Sequence, residues 1–126
     1  MPLVRIALRA GKPSEHVRAI VDGIYAAMRA AFAVPEDDRF MLVSQHADDE
    51  FVYDPSYLGI ERSADLVIIQ ITANNTRTLA QKQAFYRQVT QNLSQNPGLR
   101  PEDVFISLVE VPKENWSFGN GVAQYA

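Results

Sequence analysis

The sequence predicts an α/β fold of two layers, in which two helices cover a mostly four-stranded sheet. Three observations predict it. The order strand–helix–strand occurs twice along the 126 residues, and the hydrophobic period changes accordingly. The segments "VPEDDRFMLV" (34–43) and "RPEDVFISLV" (100–109) both lead through Pro-Glu-Asp into a strand, at equivalent places of the two runs. The length fits one domain, 1–126, built from two βαβ halves (about 2–46 and 65–111) plus a C-terminal segment.

The first half begins with a strand. Residues 3–8 alternate roughly as a strand does, and the stretch 11–14 breaks the pattern. Ser14 is the expected N-cap of the helix that follows. The apolar residues of this helix recur at three- and four-residue steps; they are Val17, Ile20, Val21, Ile24, Met28 and Phe32. The helix should end before Pro35, and a second strand is expected at 40–43.

The second half repeats this order. An acidic, turn-rich connection at 48–63, in which we expect a short hairpin, leads to the most strand-like segment of the chain at 66–71. Residues 78–81 have the capping-box form that opens a helix, and we expect Leu79, Tyr86, Val89 and Leu93 to line its apolar side. Asn-Pro-Gly at 96–98 should end that helix, and the segment 104–109 is the returning strand.

The predicted topology determines which residues meet at one end of the sheet. A right-handed crossover between parallel strands puts the starts of both strands at the same end. Pro2 and the turn at 37–39 would therefore share that end. If a pseudo-two-fold axis relates the halves, the loop 74–77 after the third strand returns there too. An amine, a carboxylate and a guanidinium can then converge, from Pro2, Asp38 and Arg77.

These three groups suit acid–base chemistry on a small acid. Once Met1 is removed, Pro2 becomes a free secondary amine, and the unperturbed pKa of a terminal amine is roughly 8. A nearby cation or burial would lower the pKa of this amine and make it a base, whereas a carboxylate would raise it and keep the proton. The planar fork of Arg77 is suited to a substrate carboxylate.

Composition excludes several other functions. The chain has no cysteine and only two histidines, and the acidic run at 48–50 has no second acidic cluster at matching spacing, so we expect no metal site. A net charge of −3 without a basic run argues against nucleic acid as a partner. Neither a signal-peptide pattern nor a membrane-spanning apolar run is present, so we expect a cytoplasmic protein with no membrane partner.

Several motifs together indicate a family. They are Pro2 after the initiator, "VPEDDRF", "VSQH" at 43–46, "LGIERSADLVII" from 58, "QKQAFY" at 81–86, "PEDVFISLVE" and "NWSFGNG" at 115–121. With these motifs the chain resembles the tautomerase superfamily, and within it the malonate semialdehyde decarboxylase group. The similarity runs through most of the chain.

The resemblance implies a homotrimer of βαβ-repeat subunits that acts without a cofactor on a small 2- or 3-oxo acid. In the decarboxylases, a protonated proline and an aspartate act at the aldehyde, while arginine orients the carboxylate that leaves as carbon dioxide. Carried over by position, Pro2, Asp38 and Arg77 fall on the proline, the aspartate and the second of two arginines. Trp116 and Phe118 fall on the apolar wall that would desolvate the reacting centre.

One position departs from the decarboxylase pattern. The family has an arginine two positions before Arg77, and here that place is occupied by Asn75 in a loop one residue longer. A neutral amide can bind a carboxylate but lacks the charge and the bidentate fork. Asn75 therefore makes a keto–enol tautomerase more credible relative to decarboxylation of malonate semialdehyde.

An alternative of another class is a non-catalytic trimeric protein, structural or binding a small molecule. Retention of Met1 would turn the Pro2 nitrogen into an amide and leave Pro2 as a strand-starting residue. In that case Asp38 would be a turn residue, as Asp103 is expected to be, and Arg77 would be a surface residue. Packing roles would remain for the aromatic residues Trp116 and Phe118.

Overall fold

The computed structural model describes residues 2–126, and the predicted strand–helix–strand order occurs in it twice. Met1, whose removal decides whether Pro2 has a free amine, lies outside the described residues. The elements in chain order are β1 (Leu3–Arg9), α1 (Ser14–Phe32), β2 (Met41–His46), β3 (Val67–Asn74), α2 (Leu79–Gln95) and β4 (Val104–Val111).

The strands form one four-stranded sheet in the order β2-β1-β3-β4. Within each half the two strands are parallel, whereas β1 and β3 at the centre are antiparallel, with Leu3 opposite Thr72. The fold class predicted from the sequence is therefore confirmed. The start of β1 and the end of β3 lie at the same end of the sheet because these two strands run in opposite directions.

One face of the sheet carries the hydrophobic core. Strand side chains that point to this face alternate with exposed ones, as the period of two requires. The two helices cover this face and bury their apolar stripes against it. The fully buried side chains include Val4, Ile6, Ile20, Ile24, Met28, Val67, Ile69, Ile71, Phe85, Val89 and Leu93.

The other face of the sheet is exposed to solvent in the single chain. Arg5 of β1 lies between Leu42 of β2 and Gln70 of β3, and all three are exposed. Phe105 and Val109 of β4 point to the same face and keep 44% and 37% of their surface exposed. This face thus combines apolar side chains with a central polar pair.

The two helices begin differently. The capping box predicted for α2 is confirmed, because Thr78 Oγ1 accepts from the Gln81 amide at 3.2 Å and Gln81 Oε1 accepts from the Thr78 amide at 2.8 Å. The prediction that Ser14 caps α1 is wrong. Ser14 is already helical, and Pro13 is the N-cap, since its backbone is extended and its carbonyl accepts from His16 and Val17.

Among residues 2–126, no helix is long and apolar enough to cross a membrane.

The connection at 48–63 is not a hairpin, and that prediction is wrong. It contains two short 3₁₀ turns, Asp48–Glu50 and Tyr57–Gly59. The Arg62 guanidinium donates hydrogen bonds of 3.1–3.3 Å to three backbone carbonyls, those of Asp54, Tyr57 and Ile60. The side chain of one arginine thus satisfies carbonyls that strand pairing would otherwise satisfy.

The packing of α1 on α2 predicts a large loss of stability for Phe85→Ala. Phe85 is fully buried and its ring stacks on Phe32 with centroids 4.3 Å apart. We expect the free energy of unfolding to fall by about 3–5 kcal/mol, because the change leaves a cavity. Urea denaturation followed by circular dichroism measures it.

The matched control is Leu79→Ala, because Leu79 is 70% exposed at the first residue of α2, and the prediction that it lines the apolar side of this helix is wrong. It should change the free energy of unfolding by no more than about 0.5 kcal/mol. Equal losses in the two variants would contradict this account of the core.

Candidate active site

A cleft of about 220 Å³ opens at the end of the sheet where β1 begins. Pro2 is buried there, and Leu3 follows it in the wall. Phe40 reaches the cleft because its carbonyl accepts from the Val4 amide at 3.0 Å, which extends the β1–β2 pairing by one residue. The complete lining is Pro2, Leu3, Phe40, Trp116, Ser117 and Phe118. This lining is mostly apolar.

The C-terminal segment supplies the aromatic part of the cleft. Trp116 and Phe118 are stacked, with centroids 5.3 Å apart and an interplanar angle of 22°. Phe118 also meets Tyr125 edge to face at 4.8 Å. The Gln124 side chain accepts from the Phe118 amide and donates to the Gly119 carbonyl, both at 2.9 Å. We call Trp116, Phe118 and Tyr125 the aromatic layer.

A buried amide lies next to this layer. Asn74, the last residue of β3, is only 7% exposed, and its Oδ1 accepts a hydrogen bond of 2.8 Å from Trp116 Nε1. The sequence predicted a strand that stopped at Ile71 and a loop from Asn74, so this contact was not anticipated. Its signal in the sequence is slight: an amide that follows directly on a buried apolar strand.

Arg77 lies at the same end of the sheet but against α1. Its guanidinium donates to the Phe32 carbonyl at 3.2 Å and lies 5.0 Å from the centroid of the Phe32 ring. A cation is favourable there because the C-terminus of a helix carries partial negative charge. Asn75 is exposed, and its backbone amide donates to the Val111 carbonyl at 3.1 Å.

Asp38 lies in the turn that precedes β2 and is half-buried, with its amide donating to the Pro35 carbonyl at 3.2 Å. The corresponding turn of the second half contains Asp103, which is fully buried. Asp103 accepts from the Ser63 amide at 2.7 Å and from its hydroxyl at 2.6 Å. Asp103 therefore has a structural role, because it holds Ser63 in the connection that leads into β3.

Two side chains fasten the Asp38 turn to α1. The Tyr25 hydroxyl donates to the Glu36 carbonyl. The Arg39 guanidinium pairs with Asp22 and lies over the Tyr25 ring, 4.6 Å from its centroid. Since Arg39 directly precedes Phe40, this clamp also fixes one wall of the cleft.

The structure thus brings three of the predicted site residues together, and they are Pro2, Trp116 and Phe118. Asp38, Asn75 and Arg77 lie in the loops at the same end of the sheet, but they are not among the described residues that line the cleft. Sequence reasoning did not assign Leu3, Phe40 and Ser117 to the cleft: Leu3 and Phe40 were placed only in strands, and Ser117 was quoted only as part of the motif at 115–121.

The two side chains whose pKa values depart clearly from the ordinary ones, His16 and Asp65, lie at the opposite end of the sheet. Lys12 and Asp65 form an ion pair there, and the hydrogen bond from Lys12 is the main cause that lowers the pKa of Asp65. Burial, with a smaller contribution from Lys12, lowers the pKa of His16, although Asp65 opposes this. Among the residues from 2 onward, no group of three His, Asp or Glu side chains could hold a metal ion.

Comparison with known proteins identifies the family. A family model described as "Tautomerase enzyme" matches residues 38–119. The chain belongs to the tautomerase superfamily. In Bacillus subtilis (strain 168), a relative named "Probable tautomerase YusQ" is 42% identical over 124 residues, which is 98% of each chain. A second tautomerase-superfamily relative there, "Probable tautomerase YrdN", is 32% identical and covers 99% of this chain and 96% of its own.

Two solved structures share the whole fold of this chain. A malonate semialdehyde decarboxylase is 35% identical with a TM-score of 0.91, over 98% of this chain and 95% of that one. A fused 4-OT, described as a symmetric trimer, is 18% identical with a TM-score of 0.79, over 95% and 94%. The second likeness shows the fold alone, whereas the first extends the sequence resemblance to the decarboxylase group across nearly the whole chain.

The clamp on the Asp38 turn predicts the effect of Tyr25→Phe. The substitution removes the hydroxyl that holds the Glu36 carbonyl. We expect the Asp38 amide to exchange about five- to tenfold faster with solvent deuterium, because one hydrogen bond that holds the turn closed is lost. Native-state hydrogen exchange followed by NMR measures the rate.

Tyr86→Phe is the control, since Tyr86 is a half-buried tyrosine on α2. It should leave the exchange of the Asp38 amide unchanged. An unchanged rate in Tyr25→Phe as well would show that the hydroxyl does not fasten the turn.

Proposed function

We propose that this tautomerase-superfamily chain is a cofactor-independent keto–enol tautomerase of a small oxo acid, with the amine of Pro2 as its general acid and base. The observation that carries the proposal is the position of Pro2, which is buried in an apolar cleft with Phe40, Trp116 and Phe118 in its walls. The amine exists once Met1 has been removed.

The cleft suits proton transfer for a physical reason. Apolar walls exclude water, and a low dielectric strengthens every charge interaction with the reacting atoms. Burial also disfavours the charged form of an amine, which moves it towards the free base. A proline amine in such a place can accept and return a proton near neutral pH.

The proposed reaction needs only one proton carrier. The Pro2 nitrogen takes a proton from the carbon next to the ketone, and the electron pair of the C–H bond moves to form the enolate. The same proton is then delivered to the enolate oxygen. The substrate carboxylate stays attached, and its charge would be met by Arg77, which is half-buried at the same end of the sheet.

Decarboxylation of malonate semialdehyde is the second candidate, and the 35% identity to a malonate semialdehyde decarboxylase favours it. In that reaction the bond to the carboxylate breaks, carbon dioxide leaves, and the electron pair of the bond forms the enolate of the aldehyde. Protonated Pro2, which would act at the aldehyde together with Asp38, would donate a hydrogen bond to the enolate oxygen before the enolate is protonated on carbon. We rank it second because Asn75 is neutral where the decarboxylases have an arginine.

We also propose that the chain assembles as a homotrimer. Support comes from the exposed sheet face, where Leu42, Phe105 and Val109 leave apolar surface uncovered. Burial of such surface against further copies would be favourable. A non-catalytic trimer that binds a small molecule at the cleft is the alternative if Met1 is retained.

The proposal predicts that Pro2→Ala abolishes tautomerisation. With phenylenolpyruvate as the test substrate, kcat should fall by about 100-fold or more, since a primary amine in a changed position replaces the proton carrier. Ultraviolet absorbance of the enol measures the rate. Circular dichroism and light scattering should give the same fold and the same mass, that of three chains, for both proteins.

Intact mass spectrometry is the accompanying control. A wild-type mass that lacks methionine is required, because only then is the Pro2 amine free. Full activity in a preparation that retains Met1, or in Pro2→Ala, would overturn the proposed role of Pro2 and would require a different catalytic group.

The ranking of the two reactions predicts the effect of Asn75→Arg. An added guanidinium should bind the leaving carboxylate with charge-assisted hydrogen bonds and raise carbon dioxide release from malonate semialdehyde by about 10-fold or more. Tautomerisation of phenylenolpyruvate should change little. Coupled detection of carbon dioxide and enol absorbance measures the two rates on the same samples.

Asn75→Lys serves as the matched control, because it supplies the charge without the planar fork. A smaller gain is expected. A wild-type protein that already releases carbon dioxide at the rate of Asn75→Arg would reverse the ranking of the two reactions.

A further inference from the structure

We propose that Asn74 is a positioning residue for the active-site cleft: its side-chain carbonyl holds the Trp116 indole and thereby fixes the aromatic layer over Pro2. The observation is the 2.8 Å hydrogen bond from Trp116 Nε1 to Asn74 Oδ1, made by a side chain that is only 7% exposed. The part of this inference that concerns catalysis rests on the proposed function of Pro2.

The strand register explains why Asn74 is available for this contact. Leu3 at the start of β1 is opposite Thr72, so Asn74 lies two residues further along β3, beyond the end of β1. On its other side Asn74 remains paired with Val111 of β4. Its backbone is therefore held by the sheet while its side chain remains free to meet the C-terminal segment.

The two partners need each other. An indole N–H can only donate, and in an apolar cleft an unpaired donor is costly. A buried amide oxygen has the same requirement for a donor. The bond also orients the amide, because Oδ1 must face Trp116 and the amide nitrogen must face away from it.

Within the described part of the chain, the segment 116–126 makes a single hydrogen bond outside itself, the one from Trp116 to Asn74. Its other hydrogen bonds with described residues join two members of the segment: Gln124 holds Phe118 and Gly119, Val122 bonds to Gly119, and Ala126 bonds to Ala123. Phe118 and Tyr125 follow Trp116 through ring contacts. The contact of Asn74 with Trp116 is thus the hydrogen bond that ties this segment to the sheet.

A direct test uses fluorescence, because Trp116 is the single tryptophan of the chain. In Asn74→Ala the acceptor is lost, and we expect a red-shifted Trp116 emission and an acrylamide quenching constant about twofold higher or more, as the indole gains contact with water. Asn74→Asp keeps an acceptor oxygen and should restore most of the wild-type quenching. Gln91→Ala, which removes an exposed amide from α2, should change neither quantity.

The second test is kinetic and separates positioning from proton transfer. In Asn74→Ala, KM for phenylenolpyruvate should rise so that kcat/KM falls about tenfold, the effect expected for one lost hydrogen bond that leaves its partner unpaired. The pH profile of kcat should keep its inflections, since the Pro2 amine is unchanged. Trp116→Phe removes the donor, and combining it with Asn74→Ala should cost little beyond the larger single effect.

Each outcome has a defined meaning. Unchanged emission and quenching in Asn74→Ala, or strict additivity of the two substitutions, would overturn the proposal. If Asn74→Ala does not fold, the test uses Trp116→Phe and Asn74→Asp instead. The proposal is then contradicted if acrylamide quenches Trp116 in Asn74→Asp as readily as it does in the unfolded chain. If the wild type shows no tautomerase activity, the fluorescence results still test the tether, while the proposed function alone fails.

Discussion

The antiparallel pairing of β1 with β3 is the constraint on which the other features of this protein depend. It joins two similar βαβ halves into one sheet, and it turns the second half around relative to the first. The start of one half and the strand end of the other therefore meet. Pro2, which directly precedes β1, and the loop after β3, which carries Asn75 and Arg77, therefore lie at the same end of the sheet.

The two faces of the sheet have different roles. Alternation along each strand sends one set of apolar side chains under α1 and α2 and the other set to the uncovered face. The core links to the candidate site through Phe32, which stacks on Phe85 and whose carbonyl and ring both contact Arg77. The helix that stabilises the fold thus also holds the arginine, so stability and site geometry are coupled at that residue.

Much of this architecture could be predicted from the residues. Hydrophobic patterns located α1 and the four strands, because each of these elements buries one face and the spacing of its apolar residues follows from its backbone geometry. The repeated Pro-Glu-Asp segments indicated two equivalent halves, and the capping box of α2 is a local interaction that needs no tertiary information. The errors occurred where more than one residue or contact could satisfy the same backbone groups. Pro13 is the N-cap of α1 in place of the predicted Ser14, and the Arg62 guanidinium binds the carbonyls of a loop predicted to contain a hairpin.

By itself the sequence determined the family, the fold and the presence of a proline next to the initiator, because motifs and periods are local properties of the chain. Only the tertiary structure decided which side chains share the cleft. Phe40 reaches it through the β1–β2 pairing, and the C-terminal segment brings Trp116 and Phe118 to the same place from the far end of the chain. Asn74 was not predicted as a site residue, since its contact with the cleft is one hydrogen bond to a residue 42 positions away. Such contacts depend on how the ends of strands meet, and no local pattern records that.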